Sequence, residues 1–99
     1  MLNITKSLKE DKLNIALNGR LDTITAPELE KEIKASIGSV STLTFDFSQL
    51  EYISSAGLRV LLSAQKLMSK QGSMTVKNVN ETIMEIFEVT GFADILSIE

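Results

Sequence analysis

The feature of this chain that most restricts its fold is a repeated change of period. Apolar residues recur at every second position in Leu13, Ile15 and Leu17, and again in Leu43, Phe45 and Phe47; after each run they recur every third or fourth residue instead. A period of two places side chains on alternate faces of a strand, whereas the longer period gathers them on one stripe of a helix. A chain that keeps switching between the two builds a sheet with helices packed against it.

Following the pattern along the chain gives the element order. Leu2, Ile4 and Leu8 share one parity and precede the turn-like segment Lys9–Lys12, so the first two strands read as a hairpin. Gly19 punctuates the second strand. Thr25 with Glu28 three residues on has the form of a capping box, Pro27 fits the first helical turn, and Ala26, Leu29, Ile33 and Ile37 follow at helical spacing. Gly38 stands where a left-handed cap would close that helix. Leu43 to Phe47 forms a third strand and Ser48 to Ser54 a connection; Ser55 to Gln71 is a longer helix closed by Gly72. Met74 and Val76 begin a fourth strand. Asn80 caps a last helix carrying Ile83, Ile86, Phe87 and Thr90, with Val79 and Met84 placed as a hydrophobic staple and Gly91 as its end. Phe92 is expected to fold back on that helix, and Asp94 to Ile98 to add a short edge strand. The expectation is an α/β fold: one domain over residues 1–99, with a mixed sheet of four to five strands. The polar Asn14, Asn18, Thr42 and Thr44 suit a sheet face left to water, with helices crowded on the other.

Composition removes whole classes of chemistry. With no histidine and no cysteine, the chain lacks the commonest general base, thiolate nucleophiles and the usual ligands of zinc and iron–sulfur sites, so no metal site or cofactor is expected. Ten basic against thirteen acidic residues leave a formal charge of −3, which gives no global positive field to gather nucleic acid. No run approaches the ~18 apolar residues of a membrane span, and the first residues lack the basic start and apolar core of a signal peptide. Cytoplasm is the expected compartment, without membrane insertion.

The segment Asp46 to Leu62, DFSQLEYISSAGLRVLL, sits where a strand feeds a helix, the position at which such folds hold ligands and reactive groups. Ser54 suits the N-cap, which puts Ser55 at the first helical position beside free backbone N–H groups; a phosphate there would meet the positive end of the helix dipole. At about 100° per residue, Ser55, Arg59, Ser63, Lys66 and Lys70 fall within roughly 80° of one another, opposite a buried stripe of Gly57, Val60, Leu61, Ala64, Leu67 and Met68. Leu62 lands beside Ser55 and Leu58 lies at the border, so apolar surface next to a hydroxyl and an arginine forms a candidate protein-docking patch; a plain solvated helix face is the other reading. Asp46 is placed to hold the helix-start loop through hydrogen bonds, or to act as a phosphoacceptor itself. Receiver domains of response regulators use such an aspartate together with an acidic pair after their first strand and a lysine after their fifth; Asn18, Gly19 and Arg20 follow the second strand here, which disfavours that reading. Asp22 and Thr23, before the Thr25 cap, organise a turn or join a docking surface. Hydrolysis by Ser55 has no histidine, no GxSxG elbow and no suitably spaced lysine to support it.

These motifs carry a likeness. GRLD at Gly19–Asp22, the long segment Asp46–Leu62 and FEVTGF at Phe87–Phe92 resemble the STAS domain family, the sulfate transporter and anti-sigma factor antagonist domains, and in particular its stand-alone bacterial antagonists. The resemblance extends over nearly the entire chain. It implies a mixed sheet with about three helices mainly on one side, and a serine phosphorylated by the partner anti-sigma factor, an ATP-using serine kinase. That phosphoacceptor aligns with Ser55. In such proteins the unphosphorylated antagonist binds the anti-sigma factor and frees the sigma factor, phosphorylation breaks the complex, and a metal-dependent serine/threonine phosphatase restores it. The antagonist is not itself an enzyme. The residues implied to meet the partner are Asp22, Thr23, Ser54, Gly57, Leu58, Arg59 and Leu62.

Two positions depart from the best-studied members. Ser54 replaces an aspartate before the acceptor and Ala56 replaces a serine or threonine after it. Serine still caps a helix, but the negative charge next to the acceptor is lost, and Ser54 becomes a second possible target. The alternative within the family is a STAS subunit that docks on an ATPase or a scaffold, in lipid transport or stress sensing, and is never phosphorylated.

Overall fold

The computed structural model describes residues 2–99. Strands β1 (Leu2–Lys9) and β2 (Lys12–Leu21) form an antiparallel hairpin, turned at Glu10, whose φ is 59°. There follow α1 (Ala26–Ser36), β3 (Thr42–Ile53), α2 (Ser55–Gln71), β4 (Ser73–Lys77) and α3 (Glu81–Thr90), with a 3-10 turn over Phe92–Asp94. The sheet order is β1-β2-β3-β4, and β2, β3 and β4 run parallel. This is the expected mixed sheet.

Register shows which face the helices cover. Leu13, Leu43 and Met74 lie side by side, as do Ile15, Phe45 and Val76, and all six are buried. The intervening rows, Asn14, Thr44 and Thr75, then Ala16, Asp46 and Lys77, remain partly or fully open to water. All three helices therefore cover one face, leaving the other polar. Leu29 and Ile33 of α1, Leu61 and Met68 of α2, and Ile83 and Phe87 of α3 complete the core. Phe47 lies 6.0 Å from Phe45 and 6.4 Å from Phe87, centroid to centroid, which ties α3 to β3.

Asn80 caps α3 by accepting from Ile83 N at 2.9 Å, and Gly91 ends it with φ 83°, both as expected. Four local expectations fail, each for a physical reason. Ser48 to Ser54 is not a connection, because β3 continues to Ile53. Between Ala16 and Asn18 on β2, and again between Gly19 and Arg20, β3 advances one residue more than its partner, so its buried residues Phe47, Leu50 and Ile53 recur every third position and the period-two pattern disappears. Gly19 does not end β2 either; it sits at the second of these irregularities with φ 113°. Gly38 is not a left-handed cap. Ile37 closes α1 in right-handed geometry, and Gln71 Nε2 from α2 donates to the carbonyls of Ile37 and Val40 at 2.8 and 2.5 Å, so those oxygens need no glycine cap. No fifth strand forms among the described residues: the 3-10 turn takes Phe92–Asp94, and only Ile98 bridges Val76.

Candidate functional site

Two loops meet where the parallel strands end. Ser54 N donates to Leu21 O at 2.8 Å, joining the start of α2 to the end of β2. The first turn of α2 then lies directly on the strand ends. Gly57 is buried there, and a Cβ at that position would stand 2.7 Å from Leu21 Cγ and 2.9 Å from Ile53 Cγ1. Gly57 is therefore required by packing, and the helix propensity it costs is the condition for α2 to sit this low.

Ser54 is the N-cap in extended geometry, and its Oγ accepts a long bond from Gly57 N at 3.4 Å while its carbonyl accepts from Leu58 N at 2.9 Å. Ser55, the first helical residue, is exposed. Among the described residues its hydroxyl has no hydrogen-bond partner, and no acceptor meets the N–H of Ser55 or Ala56. A phosphate on Ser55 would thus find unsatisfied donors and the positive end of a 17-residue helix dipole, with Arg59 one turn below and also exposed.

The loop from β2 to α1 lies beside it. Asp22 Oδ1 accepts from Ile24 N at 3.0 Å and Thr25 N at 3.1 Å; Thr25 Oγ1 accepts from Asp22 N at 2.9 Å and donates to Arg20 O at 2.8 Å, with Asp22 Oδ1 also in reach at 3.2 Å. The capping box read from Thr25 and Glu28 does not form. Thr25 occupies the N-cap position, but its buried hydroxyl is bonded backwards into the loop and offers nothing to the helix. These bonds, above all that from Thr25 N, hold the Asp22 carboxyl below the usual carboxylate range.

A consequence of this turn is that Ile24 is 82% exposed. Sequence reasoning missed it, although an apolar residue enclosed by Asp22 and Thr25, both turned inward to the backbone, has no route to the core. Thr23, Ala26, Pro27, Glu30, Ala56, Arg59, Val60 and Ser63 line the open groove between α1 and α2 next to it.

The structure sorts the expected site residues into two sets. Asp22, Thr23, Ser54, Ser55 and Arg59 come together at this corner. Leu58 belongs to the core with 6% exposure, and Gly57 lies beneath the surface, so neither presents a side chain to a partner. Leu62 is half-buried, and Leu67, placed in the buried stripe by its spacing, is partly exposed. Asp46 does not hold the helix-start loop. Because β3 runs on to Ile53, Asp46 lies mid-strand on the open face, where it accepts from Ser48 N at 2.9 Å and Asn78 Nδ2 at 3.0 Å. The Asn78 bond, then the Ser48 bond, lower its pKa, and its structural work is done at the β3 irregularity and the loop before α3. No three acidic side chains gather to hold a metal among the described residues.

Comparison with known proteins places this geometry in a family. The profile of the family described as "Mlab, STAS domain" matches residues 4–97. The chain is 32% identical to BtrV of Bordetella bronchiseptica, over 98% of this chain and 85% of that protein. It is 29% identical to the anti-sigma-B factor antagonist of Bacillus subtilis, over 98% and 92%. In structure it resembles an anti-sigma factor antagonist from Mycobacterium paratuberculosis with a TM-score of 0.90 at 22% identity, covering 99% of this chain and 85% of that one. A profile match over nearly the whole chain, and a mixed sheet that ends in a serine-capped helix under a GRLD turn, lead to one assignment: the chain belongs to the STAS domain family.

Proposed function

We propose that this protein is an anti-sigma factor antagonist, a cytoplasmic binding module without catalysis of its own, switched by phosphorylation of Ser55. The observation that carries the reading is the exposed, unbonded Ser55 hydroxyl at the start of α2, set beside the exposed Ile24 and the groove between α1 and α2. Two relatives are anti-sigma-B factor antagonists, from Bacillus subtilis and Listeria monocytogenes, and the match spans nearly the full length of both. The implied partners are an anti-sigma factor with serine kinase activity and a metal-dependent serine/threonine phosphatase.

The mechanism is local. A phosphoserine brings about −1.5 to −2 charges onto a surface that must lose water on docking, and an acidic or apolar partner face opposes that desolvation. Free N–H groups and Arg59 then hold the phosphate on this protein's side, which also removes Arg59 from the interface. No refolding is required. The test is to incubate the protein with ATP and the candidate kinase, map the phosphate, and measure binding of Ser55→Ala and Ser55→Asp to the same kinase. One phosphate at Ser55, tight binding by Ser55→Ala and at least ~10-fold weaker binding by Ser55→Asp, or about 1.4 kcal/mol, supports the switch. Equal binding by the two variants refutes it.

One feature favours a second reading. Ser54 brings no negative charge beside the acceptor, which suits a subunit that docks on an ATPase or scaffold unmodified. In that case the kinase leaves the chain unlabelled while a control substrate is phosphorylated.

A further inference from the structure

Charge is sorted by helix. α1 mixes Glu28, Glu30, Lys31, Glu32 and Lys34, and two of its carboxylates are paired, Glu30 with Lys34 at 4.0 Å and Glu32 with Lys6 at 2.6 Å. α2 contains Arg59, Lys66 and Lys70 and no acidic residue, whereas α3 contains Glu81, Glu85 and Glu88 and no basic one. Arg59, Lys66 and Lys70 are all exposed, and among the described residues none of them forms an ion pair. At about 100° per residue the three fall within roughly 40° of one another, on a stripe about 16 Å long that has Ser55 at its head. α1 shows how this chain solvates a helix, with both signs interspersed; α2 carries one sign along the line that leads to Ser55. Glu30, the one carboxylate lining the groove beside Arg59, is the one paired with Lys34.

An apolar anchor stands beside the head of this stripe. Thr23 lines the groove between α1 and α2 together with Ala56, Arg59 and Ser63, and Ile24 follows it at 82% exposure. The turn that carries Ile24 is fixed, because Asp22 Oδ1 accepts from Ile24 N at 3.0 Å and from Thr25 N at 3.1 Å. A large apolar side chain on backbone already held in place gives up little freedom on docking, which is what an interface anchor requires. Val89 on α3 is equally exposed, at 82%, but it stands beside Glu85 on the acidic helix and away from this groove.

We propose that the partner protein presents an acidic surface with an apolar socket: its carboxylates meet Arg59, Lys66 and Lys70, and the socket receives Ile24. This rests on the antagonist reading above and deepens it, because it gives the phosphorylation switch a sign. A phosphate on Ser55 places about −1.5 to −2 charges at the head of a stripe of three cations, offsets at least half of that stripe, and sets an anion against the partner's carboxylates. Nucleic acid or an anionic membrane is disfavoured as the occupant, since three cations on a chain of net charge −3 release few counterions.

Binding is measured with the same candidate kinase as in the Ser55 test. Lys66→Glu combined with Lys70→Glu, both exposed and well beyond Ser55 along the helix, is expected to raise Kd at least ~10-fold, chiefly through slower association, and raising the ionic strength from about 0.05 to about 0.5 M should erase most of that difference. The matched reversal on α3, Glu85→Lys combined with Glu88→Lys, should not weaken binding. Ile24→Ala should raise Kd at least ~10-fold and the equally exposed Val89→Ala by less than ~2-fold. Lysine reversals that leave binding unchanged or tighten it, or equal effects of Ile24→Ala and Val89→Ala, overturn the proposal. Retention on phosphatidylglycerol vesicles or duplex DNA that is lost in the lysine variant and not displaced by the kinase overturns it in favour of that surface. The switch is read separately. If Ser55→Ala and Ser55→Asp differ while the lysine reversals are silent, the antagonist reading stands and the acidic partner surface falls; if the two Ser55 variants bind alike, or neither binds, the reading itself falls.

Discussion

The starts of α1 and α2 lie side by side at the same end of the sheet, yet they are built in opposite ways. Before α1, Asp22 and Thr25 spend their side chains on the loop itself, in a closed set of bonds with Thr25 buried. Before α2, one long bond from Gly57 N to Ser54 caps the helix, and Ser55 is left without a partner. The first start is a rigid support that holds Ile24 out in solvent. The second keeps its dipole and hydroxyl available, which is what a phosphorylation switch needs. A site of this kind needs both: one helix start satisfied to hold geometry, and one left unsatisfied to respond.

The comparison breaks most severely at Gly57. Gly57→Val must push Leu21 and Ile53 aside and lift α2 from the strand ends, an overpacking expected to cost about 3 kcal/mol in urea denaturation. Thr25→Val leaves Arg20 O and Asp22 N without their bonds near the core, and about 2 kcal/mol should be lost; an exposed threonine such as Thr23 should cost within ~0.5 kcal/mol. Ser54→Ala should cost about 1 kcal/mol or less, since its cap bond is long, and Ser54→Asp should recover that loss by placing a negative charge at the helix start. Ser55→Ala should change stability by less than ~0.5 kcal/mol, so that a change in its partner binding would report the proposed switch and not a loss of folding.

Acid should separate the two starts as well. The Asp22 pKa is depressed in the folded state, so its contribution is complete above the unfolded value of about 3.9 and is lost as pH falls through the lower folded value. The amide resonances of Ile24 and Thr25 should therefore shift below about pH 4 and stay fixed in Asp22→Asn, whose amide oxygen still accepts both bonds. The amides of Ser55 and Ala56, with no carboxylate bonded to them, should not follow that titration.

Much of this was legible from residues alone. α2 begins and ends where composition and caps placed it, from Ser54 to Gly72, because helix ends are decided by neighbours a few residues apart. Leu13, Ile15, Leu17, Leu43 and Phe45 announce a half-buried sheet for the same reason, since alternation is a local property. The absence of histidine and cysteine is likewise read from the sequence alone, and with it the expectation that chemistry depending on those side chains is missing. What remained depended on partners distant in sequence. The β3 irregularities are defined against β2, and they moved Asp46 from the site to mid-strand. Gln71 replaced a glycine cap at Ile37 from 34 residues away. Leu58 and Leu67 exchanged places between core and surface because a helix wheel assigns angles, whereas burial depends on what lies opposite each angle. Sequence by itself determined most of the elements, their order and the candidate phosphoacceptor hydroxyl. Only tertiary packing decided which side chains surround that hydroxyl, because exposure belongs to contacts between segments and to no segment alone.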